Sequence, residues 1–137
     1  MPTSYKSDLD RSLDSHDPIV RSYFDRLNSG NFRAVAQLFA ERGTFRPPFE
    51  DAIVGCDAIC TYLRSEADGV RAVPHQESGQ QLPNGDRTVR VVGEVQTLLF
   101  SVNTSWKFTL NSSSEILDVT IELLASPQDL FNLQQFR

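Results

Sequence analysis

Two aromatic side chains with polar tips are the strongest candidates for chemistry in this chain. Trp106 is its single tryptophan and lies in a run of alternating apolar and polar residues, while Tyr23 lies in an apolar stripe near the N-terminus. A buried Trp or Tyr normally needs a hydrogen-bond partner for its N–H or O–H group. Two such donors in an apolar lining would suit the carbonyl oxygen of a ligand. The same pattern also fits an ordinary core tryptophan and a tyrosine whose hydroxyl meets water.

Acid–base catalysis would require a carboxylate or an imidazole inside an apolar pocket, where burial shifts its pKa. By alternation Glu122 faces away from its apolar neighbours, and Asp25 lies off the stripe that contains Tyr23. The sequence contains no Gly-rich phosphate loop and no nucleophile elbow. We therefore predict a protein that is not an enzyme, a prediction that an inward-pointing Asp118 or Glu122 would contradict. The candidate carboxylates are Asp25, Asp51, Glu66, Asp118 and Glu122.

The two cysteines do not form a recognisable metal or redox motif. Cys56 and Cys60 are four residues apart, so they share one face of a predicted helix, where a bridge between them is geometrically unfavourable. His16 and His75 are isolated from them, so no metal set is present. Buried, reduced thiols are the favoured interpretation and fit a cytoplasmic protein. An intermolecular disulfide is the alternative.

Length and charge restrict the classes of protein further. A chain of 137 residues predicts one domain, and its net charge of -5 argues against nucleic-acid binding. No apolar run reaches the roughly 20 residues that span a bilayer. The first residues lack the apolar centre of a signal peptide, and their polar composition predicts a flexible arm over residues 1–16. Residues 17–137 are predicted to form the single domain.

Three helices are predicted in the first half of that domain. Asp17 and Pro18 are typical of a helix start, and Gly30 ends this first helix. Asn31 can cap a second helix that continues to Gly43. A third helix is predicted from residue 55 to residue 68, after a stretch at 44–54 that has two short extended pieces around a Pro-rich turn. The inner stripe of the second helix is predicted to contain Ala34, Val35, Leu38 and Phe39.

The second half predicts a sheet. Strands are expected at 70–79, 87–100, 105–110 and 116–124, with a turn at 83–86, a turn or bulge at 101–104, and a last helix at 128–136. Three helices followed by an antiparallel meander predict an α+β domain, in which a curved sheet and its helices form a cone with an open apolar mouth. By alternation, one face carries Val95, Thr97, Leu99, Trp106, Phe108, Leu110, Val119, Ile121 and Leu123.

Four segments resemble the C-terminal domain of the orange carotenoid protein family: PPFEDAIVG at 47–55, VVGEVQT at 91–97, SVNTSWKFTLN at 101–111 and ELLASP at 122–127. The likeness extends from about Pro18 to Leu133. It implies a nuclear transport factor two-like cone, with three N-terminal helices packed on a curved, mostly antiparallel sheet and a short C-terminal helix. It also implies a soluble homodimer that holds a ketocarotenoid of the canthaxanthin or echinenone type without a covalent bond. The implied roles are storage, transfer or photoprotective quenching of singlet oxygen.

The resemblance assigns a role to particular residues. Tyr23 and Trp106 match the family's donors of hydrogen bonds to the keto oxygen. The helix at 128–136 matches a tail that covers the outer sheet and controls pigment uptake. The partners implied are a helical domain that donates or accepts the pigment and a transient membrane contact. The positions that match the lining of the family's pigment tunnel are Leu27, Ala72, Thr97, Leu99, Ile121 and Leu123.

Three positions depart from the family's pattern. Leu99 stands where the family often has a second Trp, and Phe100 stands where some members carry a Cys that cross-links a dimer. Asp118 replaces an aromatic or apolar residue. These departures leave two alternatives open, namely a binding module for another apolar ligand and a dimerisation domain without pigment. A small isomerase- or dehydratase-like enzyme of the same fold is a further alternative.

Overall fold

The computed structural model describes residues 17–124 of the chain. The predicted arm at 1–16 and the predicted helix at 128–136 lie outside the described residues. Within 17–124 the chain forms three helices and six strands. In chain order they are α1 (Pro18–Asn28), α2 (Phe32–Ala36), β1 (Phe39–Arg46), β2 (Ile53–Val54), α3 (Cys56–Glu66), β3 (Arg71–Gln81), β4 (Arg87–Gln96), β5 (Ser101–Leu110) and β6 (Ile116–Leu123).

The first helix begins where the sequence predicted. The Asp17 carboxylate accepts hydrogen bonds from the backbone N–H groups of Ile19 (3.0 Å) and Val20 (3.3 Å), and Pro18 occupies the first turn. These bonds satisfy amides that have no partner inside the helix. The buried face of α1 consists of Val20, Tyr23, Phe24 and Leu27, which confirms the predicted apolar stripe.

The second helix is shorter than predicted. It ends at Ala36, and Phe39 already begins β1, so the predicted continuation to Gly43 is wrong. Gly43 lies inside the strand, where a Cβ atom would stand 2.8 Å from the Ile116 carbonyl oxygen. The register between β1 and β6 shifts at this point, and the glycine allows the close approach that the irregularity requires. Phe39 is buried in the strand and also fits the inner stripe of a helix, so its apolar character does not decide between the two.

The six strands form one mixed sheet in the order β2-β1-β6-β5-β4-β3. Only the contact of β1 with β6 is parallel, and the other neighbours in this sheet are antiparallel. We call the side of the sheet that faces the helices the inner face and the opposite side the outer face. The predicted α+β architecture, with helices on one face of a mostly antiparallel sheet, is confirmed.

The turn between β4 and β5 lies four residues earlier than predicted. β4 ends at Gln96 instead of Phe100, and residues 101–104 belong to β5. The Thr97 hydroxyl closes the intervening turn, since it accepts from the Phe100 amide (3.1 Å) and donates to the Phe100 carbonyl (3.1 Å). The apolar residues of this turn continue the strand-like pattern of β4. Alternation alone therefore could not show where the strand ends.

Candidate functional site

An apolar cavity of about 240 Å³ lies between the inner face of the sheet and helices α1 and α3. Tyr23 and Leu27 of α1 line one side of it, and Trp106 of β5 lines another. In the sheet, Trp106 pairs with Val91 on β4 and with Ile121 on β6, so the indole belongs to a central strand of the described sheet. The predicted inward face of Trp106, Phe108 and Leu110 is confirmed, since each is at most 1% exposed.

Tyr23 and Trp106 bring two hydrogen-bond donors to this cavity. Both residues are 1% exposed, yet among the residues that the structure describes neither the Tyr23 hydroxyl nor the Trp106 Nε1–H has a protein partner. The same part of the chain contains no side-chain nitrogen or oxygen that is both fully buried and unpaired. Both polar atoms therefore keep some accessible surface, and both residues line the cavity.

Aromatic contacts hold the two donors in place. The Tyr23 ring packs edge-to-face against Phe108 at 5.0 Å between centroids, and Phe24 packs in the same way against Trp106 at 5.0 Å. Such edge-to-face pairs stabilise a defined ring orientation. Burial raises the pKa of Tyr23, so its phenol stays protonated and can donate a hydrogen bond throughout the physiological range.

A reciprocal pair of hydrogen bonds joins α1 to β3 beside the cavity. The Asn28 side-chain amide donates to the Ala72 carbonyl and its side-chain oxygen accepts from the Ala72 amide, both at 2.8 Å. In this arrangement the Asn28 side chain makes both hydrogen bonds to the Ala72 backbone, as a paired residue of a neighbouring strand would do. It places Leu27 and Ala72 together on the cavity wall.

The structure places most of the predicted lining residues on the cavity. Leu27, Ala72, Ile121 and Leu123 line it together with the two donors.

Two predicted positions are placed elsewhere, which corrects the expectation from the sequence. Leu99 is 86% exposed at the β4–β5 turn, and Thr97 uses its hydroxyl to close that turn. Neither belongs to the lining. The physical reason is that β4 ends at Gln96, before the alternation could carry these residues inward.

Several lining residues were missed by the sequence reasoning. Val102 and Thr104 lie on the lining because they precede Trp106 by four and two residues on the same strand. Alternation from Trp106 predicts the same face for both, but the predicted turn or bulge at 101–104 interrupts that pattern. Pro47 and Pro48, which follow β1, and Tyr62 of α3 reach the cavity only through the tertiary fold.

The candidate carboxylates leave the inner part of the cavity apolar. Asp118 forms an ion pair with Arg46 at 2.7 Å and accepts from the Thr120 hydroxyl at 2.8 Å. Glu122 is exposed and does not line the cavity. Glu66 does line it, as an exposed residue of the last turn of α3. Within residues 17–124, Glu66 is therefore the only carboxylate on the cavity lining, and it lies at the exposed end of α3.

The cysteines are free thiols, with Cys60 buried and Cys56 half-buried. No group of three or more His, Cys, Asp or Glu residues within the described range could hold a metal ion. In the same range, no helix is long and apolar enough to cross a membrane.

The chain belongs to the SnoaL-like domain family, whose model matches residues 20–103, and it has a nuclear transport factor two-like fold. Within this class it is a homologue of the C-terminal domain of orange carotenoid-binding proteins. It is 36% identical over 118 residues to the orange carotenoid-binding protein of Limnospira maxima, an alignment that covers 83% of this chain and 37% of the relative. The chain thus spans a little over a third of that relative's length.

A comparison with solved structures also finds an orange carotenoid protein. The orange carotenoid protein of Anabaena (Nostoc) sp. PCC 7120, whose structure binds canthaxanthin, matches with a TM-score of 0.79 and 35% identity over 88% of this chain and 39% of that one. SalBIII, an epoxide hydrolase/cyclase-like enzyme, matches with a TM-score of 0.63 and 24% identity over 81% of this chain and 90% of that one. The second match shows the fold alone.

Proposed function

We propose that this protein binds a ketocarotenoid without a covalent bond, through one keto-bearing end ring. In this proposal the keto oxygen accepts hydrogen bonds from the Tyr23 hydroxyl and the Trp106 Nε1–H. The observation that carries the proposal is the pair of buried donors that, within residues 17–124, have no protein partner and share an apolar cavity. A carbonyl oxygen has two lone pairs, so one acceptor can satisfy both donors.

The size of the cavity supports a ligand that is only partly enclosed. Its volume of about 240 Å³ is below the roughly 300–1,000 Å³ of pockets that enclose a whole drug-sized ligand. A long polyene would therefore leave through the mouth, whose rim contains Phe100 (58% exposed) and Leu123 (41% exposed).

We propose a homodimer for the same reason. Exposed polyene costs about 25 cal/mol for each Å² left in water. A second copy that covers the protruding end removes this cost, and a two-fold arrangement gives both ends of the pigment the same environment. The dimer then stores the pigment, transfers it to or from a helical domain or a membrane, or quenches singlet oxygen. A cytoplasmic location belongs to this proposal as well.

We further propose that the role is binding and not catalysis. The support is the position of the carboxylates within residues 17–124, because Asp118 is held by Arg46 and Glu122 faces solvent, while Glu66 lines the cavity only as an exposed residue at the end of α3. The cavity offers hydrogen-bond donors and apolar contacts, which suffice to hold and orient a pigment.

Expression in bacterial hosts that make either canthaxanthin or β-carotene tests the proposal. The two pigments differ by the keto groups, so the canthaxanthin host should yield a coloured protein with a visible absorption band, and the β-carotene host should yield much less. A colourless protein from both hosts would contradict carotenoid binding. Equal loading with both pigments would contradict the role of the keto oxygen and favour a binding module for apolar ligands in general.

A further inference from the structure

We propose that the outer face of the sheet carries a binding site for a phosphate-like oxyanion, formed by Arg90 of β4 and Lys107 of β5. These residues are direct partners in the β4–β5 register, and both are exposed. The same register row contains Ser78 of β3, Thr120 of β6 and Arg46 of β1. Three cations therefore lie in one row across the sheet. This site is on the side opposite the apolar cavity, so it does not rest on the proposed carotenoid function.

Of the three cations in this row, Arg46 at the β1 end forms an ion pair with a described residue. Arg46 is paired with Asp118 at 2.7 Å. Within residues 17–124, neither Arg90 nor Lys107 forms an ion pair. Like charges directly opposite each other on neighbouring strands are destabilising. Within residues 17–124, none of the residues that line the surface around the two cations carries a carboxylate. An external anion would relieve this repulsion.

The shape and chemistry of the surface around the two cations fit such an anion. They border a depression of about 280 Å³, whose other lining residues are Ser78, Gly79, Gln80 and Thr88. These described side chains supply a guanidinium, an ammonium, two hydroxyls and an amide, and none of them is a carboxylate. A guanidinium fork binds phosphate oxygens through two parallel hydrogen bonds, and an ammonium adds a compact charge.

Two further carboxylates of the outer face are engaged or belong to other rows of the register. Glu94 accepts hydrogen bonds from Gln96 (2.8 Å) and Ser101 (3.0 Å) and contacts His75 at 3.2 Å. Glu122 pairs in register with Ser105, one row away from Lys107. Neither side chain lines the depression.

The position of the site favours a soluble phosphate over a lipid headgroup. Arg90 lies near the start of β4, whereas the exposed apolar turn that contains Leu98 follows the end of that strand. Arg90 and Thr97 are seven positions apart in the chain, about 23 Å at the usual rise per strand residue. A bilayer that received the apolar turn with the strands perpendicular to it would therefore lie about 23 Å from the cationic depression.

Titration of the ¹⁵N-labelled protein with inorganic phosphate, at constant ionic strength in chloride, tests the proposal. We expect saturable chemical-shift changes centred on residues 78–80, 88–90 and 107. Arg90→Gln and Lys107→Gln should each weaken the response about tenfold or more, as expected when a charge-assisted hydrogen bond is lost. The matched control is Arg64→Gln, an exposed arginine of α3 that should leave the titration unchanged.

Two further measurements make the result decisive. In phosphate-free buffer, Arg90→Gln should not lower the melting temperature, because it removes a repulsion, whereas a purely structural arginine would lower it. Pelleting with vesicles of phosphatidylcholine and phosphatidylglycerol tests the lipid source. No saturable response to phosphate, an equal response in Arg90→Gln, or vesicle binding without phosphate binding would each overturn the proposal.

Discussion

Asn28 and Ala72 are 44 residues apart in sequence and are joined by two hydrogen bonds of 2.8 Å through a single side chain. The pair attaches the C-terminal end of α1 to the start of β3. Because Leu27 and Ala72 both line the apolar cavity, this contact sets the width of the cavity at that wall. The helix that carries Tyr23 is therefore held against the sheet by polar as well as apolar contacts.

Asn28→Ala should lower the free energy of unfolding by about 2 kcal/mol, since it leaves the Ala72 amide and carbonyl without their partners in a part-buried site. Urea unfolding followed by circular dichroism measures the change. Asn103→Ala is the control, because Asn103 is exposed on the outer face and its side chain makes no hydrogen bond with the described residues. Similar losses in both variants would contradict a special role for the Asn28 contact.

Gly93→Ala should destabilise the protein by about 1–3 kcal/mol, the range typical of overpacking. A Cβ atom at Gly93 would collide with the Val73 carbonyl group, where β3 forms its irregularity between Pro74 and Gln76. The backbone of β3 cannot move away without breaking the β3–β4 ladder. Thermal unfolding by calorimetry provides the measurement.

Gly79→Ala is the matched control for this variant. Gly79 pairs with Val89 in the same two strands, but a Cβ atom there would meet only the Thr88 carbonyl oxygen at an ordinary 3.7 Å. We expect its melting temperature to stay close to that of the parent protein. An equally large loss at both glycines would contradict the close approach at Gly93 as the cause, since the lower backbone entropy of alanine acts to stabilise both variants.

Local chemistry predicted the starts of the helices and the inner face of the central strands. Asp17 and Asn31 cap their helices through side-chain oxygens, so short sequence patterns were sufficient. Alternation was sufficient for Trp106 because the residues on either side of it in β5 remain in one regular strand. The two donors of the candidate site were therefore accessible from the sequence.

The wrong predictions for the ends of the second helix and of β4 have the same physical cause. The apolar character of a residue does not show whether the helix or strand before it continues through that residue. Leu98 and Leu99 continue the apolar pattern of β4, yet they are 97% and 86% exposed in a turn. Phe39 fits a helical stripe, yet it begins a strand because of its packing against β6. The remaining walls of the cavity depend on contacts between distant segments, as Asn28 and Ala72 illustrate, and no local pattern encodes these contacts.

The ion pair between Asp17 and Arg87 should make stability depend on pH. The Arg87 guanidinium contacts the Asp17 carboxylate at 2.8 and 3.3 Å, and it anchors the start of α1 to β4. Burial acts to raise the pKa of Asp17, but the hydrogen bonds from Arg87 and from the backbone amides of Val20 and Ile19 outweigh it, so the pKa is lowered. The stabilisation is therefore complete above the unfolded-state pKa of about 3.9 and is lost as the pH falls through the lower folded-state pKa.

Asp17→Asn isolates this charge, because asparagine is an equally good N-cap residue. We expect a loss of about 1–2 kcal/mol at neutral pH, and the difference from the parent protein should shrink as the pH falls below about 4. Urea unfolding at a series of pH values measures it. Asp25→Asn, which removes an exposed ion pair with Arg21, should have little effect. A difference at Asp17 that did not change with pH would contradict the electrostatic explanation.

Tyr23→Phe separates the binding role of the phenol from its packing role. The ring contacts with Phe108 and Phe24 are kept, and the lost hydroxyl has no protein partner in the described part of the chain. The pigment-free protein should therefore unfold within about 0.5 kcal/mol of the parent protein, whereas canthaxanthin should bind about 10- to 100-fold more weakly, as expected for a lost buried hydrogen bond. Trp106→Phe should have the same effect on the pigment and shift its absorption band to the blue.

Tyr62→Phe is the control for these variants, because it removes a hydroxyl that also belongs to the cavity region but already donates to Glu50 at 2.6 Å. Its pigment affinity and absorption band should remain those of the parent protein, since the keto oxygen does not depend on this hydroxyl. Titration of the pigment-free proteins with canthaxanthin in detergent micelles gives the affinities and spectra together. If Tyr62→Phe weakened binding as much as Tyr23→Phe, the keto oxygen would lie near the mouth and not beside Trp106.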